Sequence, residues 1–290
     1  MKSLKKFRII DLINWAEVYF KAKKFENPRI EIEWLIRSVL KINRIDIYLK
    51  FDHILSDQEL KTLKSFIQRR LKREPLQYIT NSCEFYGLEY FINENVLIPR
   101  PETEMIIDIA EKALINKKTP KVLDIGTGSG CIGITLASRN KDYDILGIDI
   151  SDKALDVANR NKDNLSNISF IKMDILNQTP KGKYDIIISN PPYIPLNDFP
   201  KITKDVRGYE PMVALTDQAD GLTFYKRYMN IVDDILKDDA LFHLAQLYEI
   251  KKKDSKKAIY YYESILLECN GSIYSSESRK KYRQLRGDEL

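Results

Sequence analysis

The sequence predicts an α/β fold, in which a helical N-terminal domain precedes a mainly parallel sheet covered by helices. Over residues 1–82, apolar side chains recur at helical spacing. From residue 121 onwards, short apolar runs of strand length alternate with stretches of helical spacing, which is typical of strands buried on both faces by helices. A third observation limits this fold, because the strand pattern stops near residue 239.

The first domain is predicted to consist of helices. Apolar residues follow helical spacing from Ile9 to Val18 and again from Ile32 to Leu40. The segment Ser56–Glu59 has the pattern of a capping box, which begins a further helix. Trp15 and Trp34 fall on the apolar faces, and we expect both of them in the core.

A hairpin and then a parallel sheet are predicted after this domain. Aromatic runs on either side of Gly87 favour a tight turn between two strands. Two prolines in Leu97–Glu104 then require an extended path. The predicted strands are Val122–Ile125, Ile145–Ile150, Ile168–Met173 and Tyr184–Ser189, with helices around 131–139 and 152–163.

Composition excludes several classes of protein. Of the 290 residues, 43% are hydrophobic and 31% charged, an ordinary globular balance. The three cysteines are far apart and only two histidines accompany them, so we expect no metal site and a cytoplasmic location. No apolar stretch is long enough to span a bilayer, and the N-terminus lacks the features of a signal peptide.

Charge is spread unevenly along the chain. The net charge is +8 over residues 1–82, −6 over 83–239 and +3 over 240–290. A basic first domain could bind an acidic protein or a nucleic acid. A lysine-rich solvated surface explains the same numbers, so charge alone does not decide the partner.

A glycine-rich loop marks the predicted cofactor site. It follows the first strand of the sheet and comprises Gly126, Thr127, Gly128, Ser129 and Gly130. Glycines there let the backbone turn sharply and approach a ligand closely. Asp149 ends the second strand, where a carboxylate accepts hydrogen bonds from the ribose hydroxyls of an adenosine. The glycines at 128, 130 and 133 also satisfy the dinucleotide fingerprint, so this loop leaves an NAD enzyme, or a turn without a ligand, as alternatives.

The segment Asn190-Pro191-Pro192-Tyr193 favours a methyltransferase over those alternatives. It follows the fourth strand, at the edge where open α/β sheets bind ligands. The Asn190 side-chain oxygen and the Pro191 carbonyl can each accept one N–H of a planar NH₂ group, which aligns that nitrogen with the methyl group of S-adenosylmethionine. Pro191 and Pro192 hold this geometry rigidly, and Tyr193 offers a flat face for stacking. The sequence therefore predicts a class I (Rossmann-like) methyltransferase domain acting on an amide or amino nitrogen.

Over about residues 1–238 the chain resembles the protein N5-glutamine methyltransferases of peptide chain release factors. The resemblance rests on these motifs together with Arg73–Ile79, Phe85–Leu88, Leu97–Glu104 and Tyr209–Pro211. It implies S-adenosylmethionine as cofactor, release factors as protein partners, and methylation of the glutamine in their Gly-Gly-Gln loop.

Site residues follow from the same resemblance, and the domain bounds follow from the changes of pattern along the chain. The family's cofactor positions correspond to Gly126–Gly130, Asp149 and Asn190, and an adenine-side position that is often aromatic falls on Ile175. The predicted domains are a helical substrate-recognition domain (1–82), a hairpin linker (83–98), a catalytic domain (99–239) and an atypical helical segment (240–290).

Two other functions are compatible with part of the sequence. An adenine-N6 methyltransferase of nucleic acids would present the same NH₂ geometry to Asn190, but it would need a base-flipping pocket and a basic surface. The acidic catalytic part argues against it, and we expect no direct binding of nucleic acid. The second alternative is a catalytically impaired fusion or interaction protein, and it is supported by the C-terminus.

The C-terminal segment departs from the family pattern. The family fold next needs a fifth strand, a helix and a closing antiparallel pair. Residues 241–249 and 258–267 instead keep helical spacing and resemble one tetratricopeptide-type hairpin, a unit that normally needs neighbours to bury its face. We expect helices over 240–268 in place of the C-terminal strands; the alternative is that Ala240–Leu244 still forms strand five.

Overall fold

The computed structural model describes residues 7–236, 253–268 and 274–287. A bundle of helices comes first, then a two-stranded hairpin, then a four-stranded parallel sheet with helices on both faces. The predicted α/β class is confirmed.

Five helices form the N-terminal bundle: α1 (Ile9–Ala22), α2 (Pro28–Leu40), α3 (Arg44–Leu49), α4 (Asp57–Leu71) and α5 (Leu76–Thr80). Their apolar faces share one buried cluster. The predicted capping box begins α4, where the Ser56 hydroxyl accepts from Glu59 N and the Glu59 carboxylate accepts from Ser56 N. Because those two residues satisfy otherwise unpaired N–H groups, the helix begins there.

One expectation for the first helix is wrong. Trp15 is 48% exposed and Val18 is 71% exposed. Leu12, Ala16 and Phe20 are one turn apart and occupy the inner face of α1, which turns positions 15 and 18 toward solvent. Trp15 instead stacks on Tyr19, with ring centroids 5.1 Å apart.

The hairpin pairs β1 (Ser82–Phe85) with β2 (Leu88–Phe91) in antiparallel register. Its two-residue turn is Tyr86-Gly87, and both residues have positive φ, as a tight hairpin turn of this kind requires. Glu104 accepts a hydrogen bond from Tyr86 N, which attaches the turn to the short 3-10 helix Pro101–Glu104 and to α6 (Met105–Leu114) behind it.

The sheet contains β3 (Lys121–Ile125), β4 (Asp144–Asp149), β5 (Ile168–Lys172) and β6 (Ile186–Ser189) in the order β5-β4-β3-β6, all parallel. The four predicted strands are confirmed, with bounds that differ by no more than two residues. The helices α7 (Cys131–Arg139) and α8 (Asp152–Asn161) connect the strands, and with α6 they bury one face of the sheet.

Shorter helices follow the sheet. They are a 3-10 turn (Phe199–Lys201), α9 (Lys204–Tyr209) and α10 (Met212–Leu215), before the longer α11 (Thr223–Ile235). Ile231 and Ile235 of α11 join the buried cluster on the second face of the sheet. Each face is therefore covered, which explains why the strands are apolar runs rather than alternating ones.

The C-terminal segment is helical where it is described. The helices are α12 (Ser255–Glu268) and α13 (Ser275–Arg286), and no strand follows β6 within the described residues. Helix over 255–268 is as expected, but α12 pairs with α13, which the sequence pattern did not predict. The predicted helix over 241–249 and the alternative strand at Ala240–Leu244 lie outside the described residues.

The α12–α13 pair packs beside strand β6. Tyr261, Tyr262 and Ile265 of α12 are buried in a cluster with Leu236, and Ile187 of β6 packs against the same cluster. Leu236 also forms an isolated parallel bridge with Tyr184, whose N–H donates to Ile235 O at 2.8 Å. The chain thus begins to pair along the outer edge of the sheet directly after α11.

Ion pairs of Arg70 link the helical bundle to the segment that follows β6. Arg70 of α4 donates from Nε and Nη2 to both oxygens of Glu31, at 2.6 and 3.0 Å, and from Nη1 to Asp205 of α9 at 3.0 Å. Tyr209 at the end of α9 donates to Lys72 O at 2.7 Å. The side chains of Arg70 and Glu31 are only 10% and 12% exposed, so the Glu31 carboxylate depends on Arg70 for its hydrogen bonds.

We predict that Arg70→Met lowers the free energy of unfolding by about 3–5 kcal/mol, because Glu31 would remain buried without its partner. Urea denaturation of the full chain measures this change. Lys201→Met is the control, since Lys201 pairs with Asp198 on the surface and its removal should change stability far less. Equal effects of the two substitutions would contradict the prediction.

Candidate functional site

The glycine loop connects β3 to α7 at the carboxyl edge of the sheet. Gly126, Gly128 and Gly130 have φ values of +71°, +56° and +80°. A Cβ at Gly130 would clash with Ile134, whereas one at Gly126 would meet no atom within 4 Å. Gly130 therefore allows close internal packing, whereas Gly126 forms a turn whose outer side is open.

Asp149 joins this loop to the end of β4. Its carboxylate accepts from Gly128 N and from Ser151 N, both at 2.9 Å. Burial raises the pKa of Asp149, and the backbone N–H bonds oppose that rise. Each oxygen keeps a lone pair, so the carboxylate can accept further hydrogen bonds.

Asp124, at the end of β3, lies beneath the loop. Its Oδ2 accepts from Thr127 Oγ1 at 2.6 Å and Gly133 N at 3.3 Å, while its Oδ1 is buried without a hydrogen-bond partner. Burial raises the pKa of Asp124 to about 6. A Cβ at Gly133 would lie 3.1 Å from that carboxylate, so the third glycine of the dinucleotide-like pattern permits close packing of α7 on the sheet.

The Asn-Pro-Pro-Tyr segment begins where β6 ends, beside the glycine loop. Ser189 donates to Ile125 O at 2.8 Å and shares a hydrogen bond of 2.8 Å with the Tyr228 hydroxyl. Burial raises the pKa of Tyr228 to about 12, so this phenol is neutral at ordinary pH.

A cavity of about 270 Å³ gathers most of the predicted site residues. Those predicted residues in its lining are Gly126, Thr127, Gly128, Ser129, Asp149, Ile175, Asn190, Pro191 and Pro192. Gly130 and Tyr193 are not among its lining residues, and Tyr193 is 58% exposed. Ile175 is 5% exposed and belongs to the cluster on the second face of the sheet.

A second ion pair shapes the cavity wall, and no role was predicted for it from the sequence. Arg100 donates to Glu210 at 2.6 Å, and Glu210 also accepts from Ile98 N at 3.2 Å. Arg100, Pro99 and Pro211 line the cavity. In the sequence, both charged residues stand beside prolines, in Leu97–Glu104 and Tyr209–Pro211. Their pairing spans 110 positions, so local sequence patterns could not predict it.

Two kinds of feature are absent from the described residues. No helix in residues 7–236, 253–268 or 274–287 is long and apolar enough to cross a membrane. Within the same ranges, no three His, Cys, Asp or Glu side chains form a group that could hold a metal ion.

We predict that Asp124 makes stability pH-dependent. Its folded-state pKa of about 6 exceeds the ordinary 3.8, so the stability contributed by its bound proton is full below pH 4 and is lost as pH rises through 6. Relative to Asp124→Asn, wild type should lose roughly 2 kcal/mol of unfolding free energy between pH 4 and pH 7. Urea denaturation at both pH values tests this. Exposed Asp142→Asn, the control, should retain the pH dependence of wild type, and a similar dependence in Asp124→Asn would refute the assignment.

Comparisons with known proteins agree with this architecture. The family model described as PrmC N-terminal domain matches residues 11–80, and the one described as methyltransferase small domain matches residues 103–204. Among solved structures, the hMettl16 catalytic domain in complex with MAT2A 3′UTR hairpin 6 is 21% identical, covers 69% of this chain and 76% of that chain, and has a TM-score of 0.43.

Relatives from three bacteria, among others, carry the name release factor glutamine methyltransferase. The protein of Fusobacterium nucleatum subsp. nucleatum is 37% identical over 79% of this chain and 66% of its own. That of Geobacter sulfurreducens is 38% identical over 74% and 75%, and that of Thermodesulfovibrio yellowstonii is 36% identical over 84% and 85%. With identity at this level over most of both chains, the chain belongs to the family of release factor glutamine methyltransferases.

Proposed function

We propose that this protein transfers a methyl group from S-adenosylmethionine to a glutamine side chain. The acceptor is the amide nitrogen of the glutamine in the Gly-Gly-Gln loop of peptide chain release factors. One observation carries the proposal: Asn190 and Pro191 line the same cavity as the glycine loop and Asp149. This arrangement brings an acceptor pair for an NH₂ group next to a site suited to an adenosine. The names of the relatives supply the identity of the substrate.

The residues present fit S-adenosylmethionine. The open side of Gly126 leaves room for a ligand against the backbone, and Asp149 has acceptor capacity for two ribose hydroxyls. Ile175 supplies an apolar surface to the adenine in place of an aromatic ring. When bound, the cofactor supplies a methyl group activated by a positively charged sulfur.

Asn190 and Pro191 orient the substrate nitrogen. The Asn190 side-chain oxygen and the Pro191 carbonyl each accept one N–H of the amide, which fixes the nitrogen in line with the methyl group and stabilises the positive charge that develops on it. Pro191 and Pro192 keep the two acceptors in place because their φ angles are restricted. The exposed ring of Tyr193 can stack on an arriving peptide.

We propose the domain roles on the same basis. The helical domain, 1–82, recognises the release factor; 83–98 links it to the catalytic domain, 99–239; and 240–290 is an additional helical segment. The net charge of +8 in the first domain suits an acidic surface on a protein partner. The net charge of −6 over 83–239 opposes tracking of a phosphate backbone, which argues against the adenine-N6 alternative. The cytoplasmic location stays a prediction.

Asp149→Ala should weaken the binding of S-adenosylmethionine by about 1–3 kcal/mol, because two hydrogen bonds to the ribose are lost. Isothermal titration calorimetry measures the dissociation constant. Asp152→Ala is a matched control, since this nearby aspartate is exposed and pairs with Lys172. Unchanged affinity in Asp149→Ala would refute the role of Asp149.

Asn190→Ala should reduce methyl transfer by roughly 10²–10³-fold while cofactor affinity changes much less, because Asn190 acts mainly on the transition state. Transfer of a radiolabelled methyl group to a purified release factor measures this rate, with exposed Asn164→Ala as the control.

An adenine-containing DNA, tested in parallel, separates the two methyltransferase functions. Labelling of DNA instead of the release factor would overturn the proposed substrate. Wild type that binds the cofactor but labels neither substrate would favour the impaired interaction protein.

A further inference from the structure

A loop in the cavity wall, residues 216–223, is closed by the carboxylate of Asp217, and Thr216, Asp217 and Gln218 line the cavity. Oδ1 accepts from Ala219 N at 2.9 Å and Gly221 N at 3.0 Å. Oδ2 accepts from Thr223 N at 3.0 Å and Thr223 Oγ1 at 2.6 Å. These four hydrogen bonds lower the pKa of Asp217 to about 2, although its partial burial opposes that change, so the carboxylate is ionised throughout the ordinary pH range.

This loop lies directly against the chain that continues from Asn190. Gly221 has a φ of +79°, and a Cβ built on it would clash with the carbonyl oxygen of Tyr193. Leu196 N donates to Ala219 O at 3.0 Å, just beyond that contact. Only a glycine allows the loop backbone to approach Tyr193 so closely.

Helix α11, which follows the loop, contacts the start of the Asn-Pro-Pro-Tyr segment. Asp217 caps α11 through Thr223. Five residues further along α11, the Tyr228 hydroxyl bonds to Ser189, the residue before Asn190. The segment is therefore contacted on both sides by one continuous stretch of chain. Because Pro191 and Pro192 have no N–H to donate, their positions depend on such neighbours.

We propose that Asp217 and Gly221 are positioning residues for the Asn-Pro-Pro-Tyr segment. Asp217 sets the shape of the loop, and Gly221 transmits that shape to the backbone of Tyr193. The carbonyl of Pro191 and the side chain of Asn190 thereby keep the spacing that a substrate amide needs. This inference rests on the proposed function of Asn190.

Gly221→Ala tests the contact, and Gly182→Ala is its matched control. Gly182 also has a positive φ, +95°, but a Cβ there would meet nothing within 4 Å. Both substitutions impose the same kind of backbone strain, and Gly221→Ala adds the clash with Tyr193, so we expect the larger loss of thermal stability in Gly221→Ala. In Gly221→Ala alone, kcat for methyl transfer to the release factor should fall by about 10- to 100-fold, as a displacement near 1 Å would cause.

Asp217→Asn tests the loop without adding bulk, and Asp220→Asn is its control. An asparagine has one acceptor oxygen, so two of the four donors would lose their partner. We expect kcat to fall by about 10-fold while the cofactor dissociation constant changes by less than about 3-fold. Asp220 is exposed and pairs with Lys226, so Asp220→Asn should keep the wild-type kcat.

The outcomes separate this inference from the proposed function. If Gly221→Ala fails to fold, Asp217→Asn decides. Wild-type kcat in Asp217→Asn, with Asn190→Ala inactive, would overturn the inference alone. A loss of cofactor affinity in Asp217→Asn as large as the loss of kcat would also overturn it, because Asp217 would then act on the cofactor. Normal turnover in Asn190→Ala would instead remove the proposed function.

Discussion

The parallel pairing of β3 with β6 determines where the parts of the site lie. Its register sets Ile125 opposite Ser189, and the Ser189 hydroxyl donates across the pair to Ile125 O. The chain that leaves β3 becomes the glycine loop, and the chain that leaves β6 becomes the Asn-Pro-Pro-Tyr segment. Two segments more than 60 positions apart thus meet at one edge, because parallel strands end on the same side of a sheet. A register shift of one residue would move Ser189 to the opposite face.

Ion pairs connect this edge to the rest of the molecule. Arg70 joins the helical bundle to α9, and Glu210, directly after α9, joins Arg100 on the cavity wall. The helical bundle therefore contacts α9, which lies in the chain between Asn190 and the loop 216–223. If that bundle docks the substrate protein, as we propose, the docked protein and the reacting nitrogen are held by parts of one continuous structure.

The C-terminal helices pack against the outer edge of the four-stranded sheet that the structure describes. A strand at the edge of a sheet exposes unpaired N–H and C=O groups. Beside β6, the bridge at Leu236 pairs one such position, and the buried tyrosines of α12 pack against Ile187. The departure from the family's strand pattern is thus accompanied by an apolar contact with the same edge.

Local chemistry in the sequence determined much of the fold. Apolar runs located the four strands, Ser56 and Glu59 located the start of α4, and the glycines of the loop located its turn, because each signal depends on neighbours within a few positions. Most of the predicted site residues line one cavity, because they follow parallel strands whose carboxyl ends lie at the same edge of the sheet.

Only the tertiary structure decided which distant residues meet. The Arg100–Glu210 and Arg70–Asp205 pairs span 110 and 135 positions, and the contact of Gly221 with Tyr193 depends on how the loop folds back. Trp15 shows the same limit, because helical spacing gives an apolar side chain several candidate faces, and packing against α2 selects one of them. Charges, glycines and aromatic residues at such positions acquire their roles through partners that local periodicity cannot identify.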